Sequence, residues 1–127
     1  MVKEKKKILV VEDEADAIDV MTMLLESEGY GVITAGDGAQ AIDKARRETP
    51  DLIILDVMLP KFDGYKVARM LKFDEKFSHI PIIMVTARIM DKDRKIGMET
   101  GANEYVTKPF DVPELLMKIK EILAKTK

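Results

Sequence analysis

The sequence of 127 residues has no cysteine, which removes disulfides, thiolate metal sites and thiol catalysis together. That absence fits a reducing compartment. Long hydrophobic runs are missing too. After the basic start Met1-Val2-Lys3-Glu4-Lys5-Lys6-Lys7, the apolar run Ile8 to Val11 stops at Glu12-Asp13-Glu14. A secretory core needs roughly 7–15 apolar residues, and a membrane span needs ~20. A cytoplasmic protein with no membrane contact is therefore expected. Charge of one sign is not in excess either. The net charge is -2, so no basic surface for nucleic acid is indicated, and no direct nucleic-acid partner is expected. No G-x-G-x-x-G or Walker A pattern occurs, and no Pro/Gly/Ser-rich linker or low-complexity tract divides the chain.

What remains is an ordinary globular composition, 46% apolar and 35% charged, of a length for one core. Short aliphatic runs, Ile8–Val11, Val32–Ala35, Leu52–Leu55, Ile82–Val85 and Glu104–Val106, alternate with helical patterns. The first helix is predicted from about Glu14 to Glu28, with Ile18, Met21 and Leu25 inward and Gly29 as the stop. The second holds Ala41, Ile42 and Ala45 and ends before Pro50. The third follows Asp63-Gly64 and carries Val67, Ala68 and Leu71. A fourth, around Asp91 to Thr100, has only Ile96 and Met98 for a core face, so it is expected to dock least firmly. The last is the clearest, with Val112, Leu115, Leu116, Ile119, Ile122 and Leu123 at helical spacing, Asp111 before it and Pro113 in its first turn. Strict strand–helix alternation argues an α/β fold with a five-stranded parallel sheet, doubly wound as (βα)5, in a single domain spanning 1–127 with a core of about 7–125. Leu52–Leu55 and Ile82–Val85 are apolar throughout, as buried parallel strands are.

In such folds the functional crevice lies beyond the carboxyl ends of the strands. There the sequence places Glu12-Asp13, Asp56, Thr86-Ala87 and Thr107-Lys108-Pro109. Each alone has an ordinary explanation. Asp13 could cap the first helix, Asp56 could be a loop acid, Thr86 suits a strand, and Lys108-Pro109 suits a turn. Together they bring three carboxylates, a hydroxyl and an ammonium to one sheet edge. Clustered carboxylates repel unless a cation intervenes. Oxygen donors suit a hard ion such as Mg²⁺, which would offset charge on an incoming phosphoryl group while Lys108 clamps it and Thr86 donates a hydrogen bond. Those are the parts phosphoryl transfer to an Asp nucleophile needs.

The chain resembles the receiver domains of response regulators, of the chemotaxis-regulator type with a flavodoxin-like fold. The resemblance rests on Ile8-Leu9-Val10-Val11-Glu12-Asp13-Glu14, Pro50-Asp51-Leu52-Ile53-Ile54-Leu55-Asp56, Met58-Leu59-Pro60 with Asp63-Gly64, Val85-Thr86-Ala87 and Lys108-Pro109-Phe110. It implies that Asp56 accepts phosphate from a sensor histidine kinase or a histidine phosphotransfer protein. It also implies that Asp13, Asp56 and the backbone carbonyl of Met58 ligate Mg²⁺, with Glu12 assisting through water. Lys108 would contact the phosphoryl group, joined to Pro109 by a cis bond. Thr86 and Tyr105 would be the switch pair, moving a surface made by the fourth helix, fifth strand and fifth helix to control a downstream protein target. Glu12 stands where many relatives carry Asp. Tyr105 taken alone reads as an amphipathic aromatic at a strand, His79 as a surface or structural residue and not a phosphorelay histidine, and the nine methionines as core filler.

Met58-Leu59-Pro60, Thr86-Ala87-Arg88 and Glu99-Thr100-Gly101-Ala102 are most similar to receivers of winged-helix transcription regulators, which dimerise through paired charges. Glu104 and Lys118 match that pattern, whereas Asn103 replaces an acid and Ile96 a base, leaving a phosphorylation-dependent homodimer open. No DNA-binding domain follows Lys127, so direct gene regulation is not expected unless the chain is a fragment. The resemblance implies a signalling protein, not an enzyme beyond its own phosphoryl transfer and hydrolysis, and Arg88 and Met58 flank the site in positions that tune hydrolysis. A flavin carrier of the same fold would need a Ser/Thr/Gly-rich loop after the first strand, where Glu12-Asp13-Glu14 stands. A phosphatase with an aspartate nucleophile would need a carboxylate at the place of Met58.

Overall fold

The computed structural model describes residues 5–60, 63–87 and 101–125, with the side chain of Thr86 excepted. Five strands run in one parallel sheet: β1 (Lys7–Val11), β2 (Gly31–Ala35), β3 (Leu52–Leu55), β4 (Ile82–Thr86) and β5 (Glu104–Thr107). Among the described residues the helices are α1 (Ala15–Ser27), α2 (Gly38–Glu48), α3 (Gly64–Lys72) and the C-terminal α4 (Val112–Lys125). Every strand lies within one residue of its predicted bounds. The helix expected around Asp91 to Thr100, with Ile96 and Met98, lies outside the described residues, as does Arg88.

The sheet order is β2-β1-β3-β4-β5. From β1 the chain moves outward to β2, then returns past β1 to β3, so the topological switch point falls between the ends of β1 and β3. Strand alternation splits the core into two layers. Leu9, Val11, Ile53, Leu55, Ile82, Met84 and Tyr105 pack with Ala41, Ile42 and Ala45 of α2 and Val67, Ala68 and Leu71 of α3. Ile8, Val10, Leu52, Ile54, Ile83 and Val85 pack with Met21 and Leu25 of α1 and Leu115, Ile119 and Leu123 of α4. This is why Ile8–Val11, Leu52–Leu55 and Ile82–Val85 of the central strands carry no polar residue on either face. Ile18, predicted inward, is only half-buried, because α1 docks through Met21 and Leu25.

Local signals set the helix ends. The carboxylates of Asp37 and Asp63 accept the Gln40 and Lys66 N–H groups and cap α2 and α3. Gly29, at φ +92°, ends α1 in the left-handed conformation glycine tolerates. β2 is an edge strand, and Lys44 from α2 donates its ammonium to the Thr34 carbonyl there. No helix among the described residues is long and apolar enough to cross a membrane.

Candidate phosphoacceptor site

Glu12 and Asp56 are the first residues past β1 and β3, at the switch point. The Glu12 N–H donates to the Ala35 carbonyl at 3.0 Å, and the Asp56 N–H to the Val11 carbonyl at 3.1 Å. The sheet ladder therefore carries both acids one step beyond the strands, and they are buried, at 6% and 7% exposure. A buried carboxylate is costly without partners. These two share one. Lys108, just past β5, reaches across the end of β4 to place its ammonium 2.7 Å from Glu12 Oε1 and 3.0 Å from Asp56 Oδ2. The Lys108–Pro109 bond is cis, as expected.

Backbone donors complete the shell. Asp56 Oδ1 accepts the Met58 N–H at 2.9 Å. Glu12 Oε2 accepts the N–H groups of Asp13 at 3.1 Å and Glu14 at 3.2 Å. Burial pushes the Asp56 carboxyl above its ordinary value, against the opposing pull of Met58 and Lys108. Burial also opposes charge on Glu12, but there Lys108 and the Glu14 N–H outweigh it and hold the carboxyl below its ordinary value. The two acids part because burial dominates at Asp56, where the neighbouring Glu12 charge adds to it, while Lys108 and the Glu14 N–H outweigh burial at Glu12. For Lys108 burial likewise opposes charge, and the two carboxylates overcome it, so the ammonium is held above its usual value.

Asp13 is exposed, and Glu14 rather than Asp13 occupies the cap position of α1, without a side-chain capping bond. The ordinary explanation of Asp13 as a helix cap is thereby removed. Asp13, Asp56, Met58, Asp63, Ala87 and Lys108 line an open cavity of about 690 Å³. Asp56 in this cavity and Glu12 behind Lys108 are two buried carboxylates sharing one ammonium, which leaves an uncompensated negative charge near exposed Asp13. Among the described residues, no three His, Cys, Asp or Glu side chains stand close enough to hold a metal ion alone. Such a donor set suits Mg²⁺, which binds through one or two carboxylates and keeps several waters.

The structure thus brings together Glu12, Asp13, Asp56, Met58 and Lys108. Thr86 ends β4 beside Thr107 of β5. Tyr105, opposite Met84, is buried at 4% exposure in the layer facing α2 and α3 and does not line the cavity. Glu104 and Lys118, the charges matched to a dimer interface, pair within one chain at 3.4 Å. Asn103 has a structural task, since its Oδ1 accepts the Ile82 N–H at 3.0 Å while its own N–H donates to the Ile82 carbonyl at 2.8 Å. Sequence reasoning missed the use of Met58 as an N–H donor and the grip of Glu12 on Lys108.

The residues at this crevice agree with a family match, the response regulator receiver domain, over residues 8–120. The chain belongs to that family. Its receiver domain is 46% identical over 121 residues to the alkaline phosphatase synthesis transcriptional regulatory protein PhoP of Bacillus subtilis, covering 95% of this chain and 50% of that protein. It is 41% identical over 120 residues to the DNA-binding dual master transcriptional regulator RpaA of Synechocystis, covering 94% and 50%. Among solved structures, the receiver domain of a sensor histidine kinase from Pseudomonas aeruginosa, with magnesium coordinated in its active-site cleft, superposes with a TM-score of 0.89 at 34% identity, covering 96% of this chain and all of that one.

The receiver domain spans about half the length of the curated relatives it matches. These relatives overturn the expectation of no direct nucleic-acid partner, because they are transcriptional regulators and one is named as DNA-binding. The inference from charge failed for a physical reason: a net charge of -2 describes the surface of this span alone.

Proposed function

We propose that this receiver domain is a phosphoacceptor switch, with Asp56 as the residue modified. The observation that carries the reading is the Lys108 ammonium set 3.0 Å from the buried Asp56 carboxylate at the switch point of the sheet. A carboxylate oxygen of Asp56 attacks the phosphorus of a phosphohistidine on a sensor kinase or phosphotransfer protein. The P–N bond breaks, its electrons return to the imidazole, and an acyl phosphate forms on Asp56. Lys108 supplies a positive contact for the phosphoryl oxygens from a position already beside the reacting carboxylate. Asp13, Asp56 and the Met58 carbonyl, assisted by Glu12 through water, would hold Mg²⁺, which would supply the remaining charge compensation.

Phosphate on Asp56 then draws the Thr86 hydroxyl inward, and Tyr105 responds. The surface that includes β5 and α4 shifts between two packings, because phosphate binds one better than the other. Cytoplasmic signalling with control of transcription as its output is the reading favoured by relatives named as transcriptional regulators, twice the length of this chain. Since Glu104 and Lys118 already pair within one chain, a phosphorylation-dependent homodimer through those charges would have to exchange that contact.

Intact-mass measurement after incubation with acetyl phosphate tests this, with and without Mg²⁺ and beside Asp56→Asn. One Mg²⁺-dependent phosphoryl adduct, absent from the variant, is expected. No adduct under conditions that modify another receiver would sink the reading.

A further inference from the structure

Glu12 differs from the other acids of the site in how fully its oxygens are used. Oε2 takes two backbone N–H groups from the loop entering α1, and Oε1 takes Lys108 at 2.7 Å, a shorter contact than the 3.0 Å from Lys108 to Asp56. A carboxylate offers about four lone-pair positions, so three are committed before any ligand arrives. The side chain is 8% exposed, and its distal oxygen points to Lys108 across 96 residues of sequence. Glu12 is therefore fixed at one end by the backbone and holds a long, flexible lysine at the other.

We propose that Glu12 is a positioning residue that acts through Lys108, holding the ammonium where phosphoryl oxygens form, and that this is its principal task at the site. The inference deepens the phosphoacceptor reading and rests on it. Lysine has four rotatable bonds, and ordering such a side chain costs entropy. With Asp56 as its only partner, Lys108 would have to leave its anchor when that carboxylate becomes an acyl phosphate. The Glu12 contact does not involve the reacting oxygens and persists through the reaction. Lys108 can then turn from Asp56 to the phosphoryl group while remaining tethered. The extra methylene of Glu over Asp serves this reach.

A double-mutant cycle separates this role from metal ligation. Rates of Asp56 phosphorylation by acetyl phosphate would be measured at saturating Mg²⁺ for wild type, Glu12→Gln, Lys108→Gln and the double variant. Glu12→Gln is expected to slow the reaction about tenfold, the scale of a lost charge-assisted hydrogen bond. The double variant should be no slower than Lys108→Gln to within about twofold, and half-saturating Mg²⁺ should move less than about threefold in Glu12→Gln. Multiplying losses, full recovery of Glu12→Gln at high Mg²⁺, or no slowing at all would each overturn the proposal.

A second measurement does not depend on phosphorylation. Trace acylation by acetic anhydride, mapped by mass spectrometry, should modify Lys108 at least about threefold faster in Glu12→Gln than in wild type, with other lysines unchanged. Unchanged Lys108 reactivity would overturn the tether even in a protein that takes phosphate normally. Faster Lys108 acylation in a protein that takes no phosphate would uphold the tether and locate the failure in the phosphoacceptor reading.

Discussion

A Cβ placed on Gly64 would stand 2.3 Å from the backbone carbonyl oxygen of Asp56 and 2.8 Å from the Cα of Val57. The first residue of α3 is therefore pressed against the strand end that carries Asp56. The Gly64 N–H donates to the Val57 carbonyl at 2.9 Å, locking the two segments together. Both neighbours are backbone and neither can swing aside. Gly64→Ala must move the loop that aims Asp56. A loss of about 1–3 kcal/mol in urea unfolding is expected, the usual cost of overpacking, with slower uptake of phosphate by the folded fraction. Wild-type stability in Gly64→Ala would show that the loop yields freely.

The excess negative charge of the site predicts how metal and stability are linked. Asp56→Asn leaves Glu12 and Lys108 as a balanced pair, so without Mg²⁺ this variant should be more stable than wild type by about 1 kcal/mol. Addition of Mg²⁺ at a hundred times its dissociation constant should stabilise wild type by about 2.7 kcal/mol through mass action, and the variant much less. Thermal melting with EDTA and with Mg²⁺ checks both. Equal Mg²⁺ shifts in the two proteins would place the ion elsewhere.

Lys72 gives a prediction away from the site. Its ammonium, at the end of α3, donates to the carbonyls of Ser78 at 3.0 Å and Ile80 at 2.8 Å, and its stem lies under Gly101. Lys72→Met should cost about 1–3 kcal/mol. Burial also holds the Lys72 ammonium below its ordinary value of 10.5. Between the lowered value and 10.5 the unfolded chain binds more protons than the native one, so this residue adds stability as pH rises through that window. The gap between wild type and Lys72→Met should widen there in denaturant titrations. A gap that narrows would contradict the assignment.

Thr86→Ala should uncouple the switch without disabling it. Phosphorylation stoichiometry by mass should be retained, while the phosphate-dependent change in amide exchange over β5 and α4 shrinks. Equal losses of both would count against Thr86 as the link.

What the sequence disclosed and what it hid divide by range. The apolar runs Leu52–Leu55 and Ile82–Val85 announce buried strands because a strand flanked by helices on both sides must be apolar at every position. The C-terminal helix was legible from its spacing, and the acids at the strand ends from the rule that places crevices there. Glu12 meeting Lys108 was not legible, since three strand positions in the sheet and 96 residues in sequence separate them. Nor was the pressure of Gly64 on Asp56, because Asp63-Gly64 reads locally as nothing more than a capped helix start. Ile18 is only half-buried where Met21 and Leu25 are buried, because helical spacing identifies an apolar stripe but not which turn of it docks most deeply. The charge argument about nucleic acid failed by reaching beyond the residues it described.

The ammonium of Lys44 at the outer rim of β2 has a consequence for how copies of this domain can meet. An open strand edge is a template on which another strand can grow, and a backbone-paired sheet separates slowly. With a cation seated at the Thr34 carbonyl, that rim discourages a shared sheet. Association at this edge is then left to side chains, which is weaker per contact and depends on surface shape. For a molecule whose signal must also end, encounters of that kind can be undone.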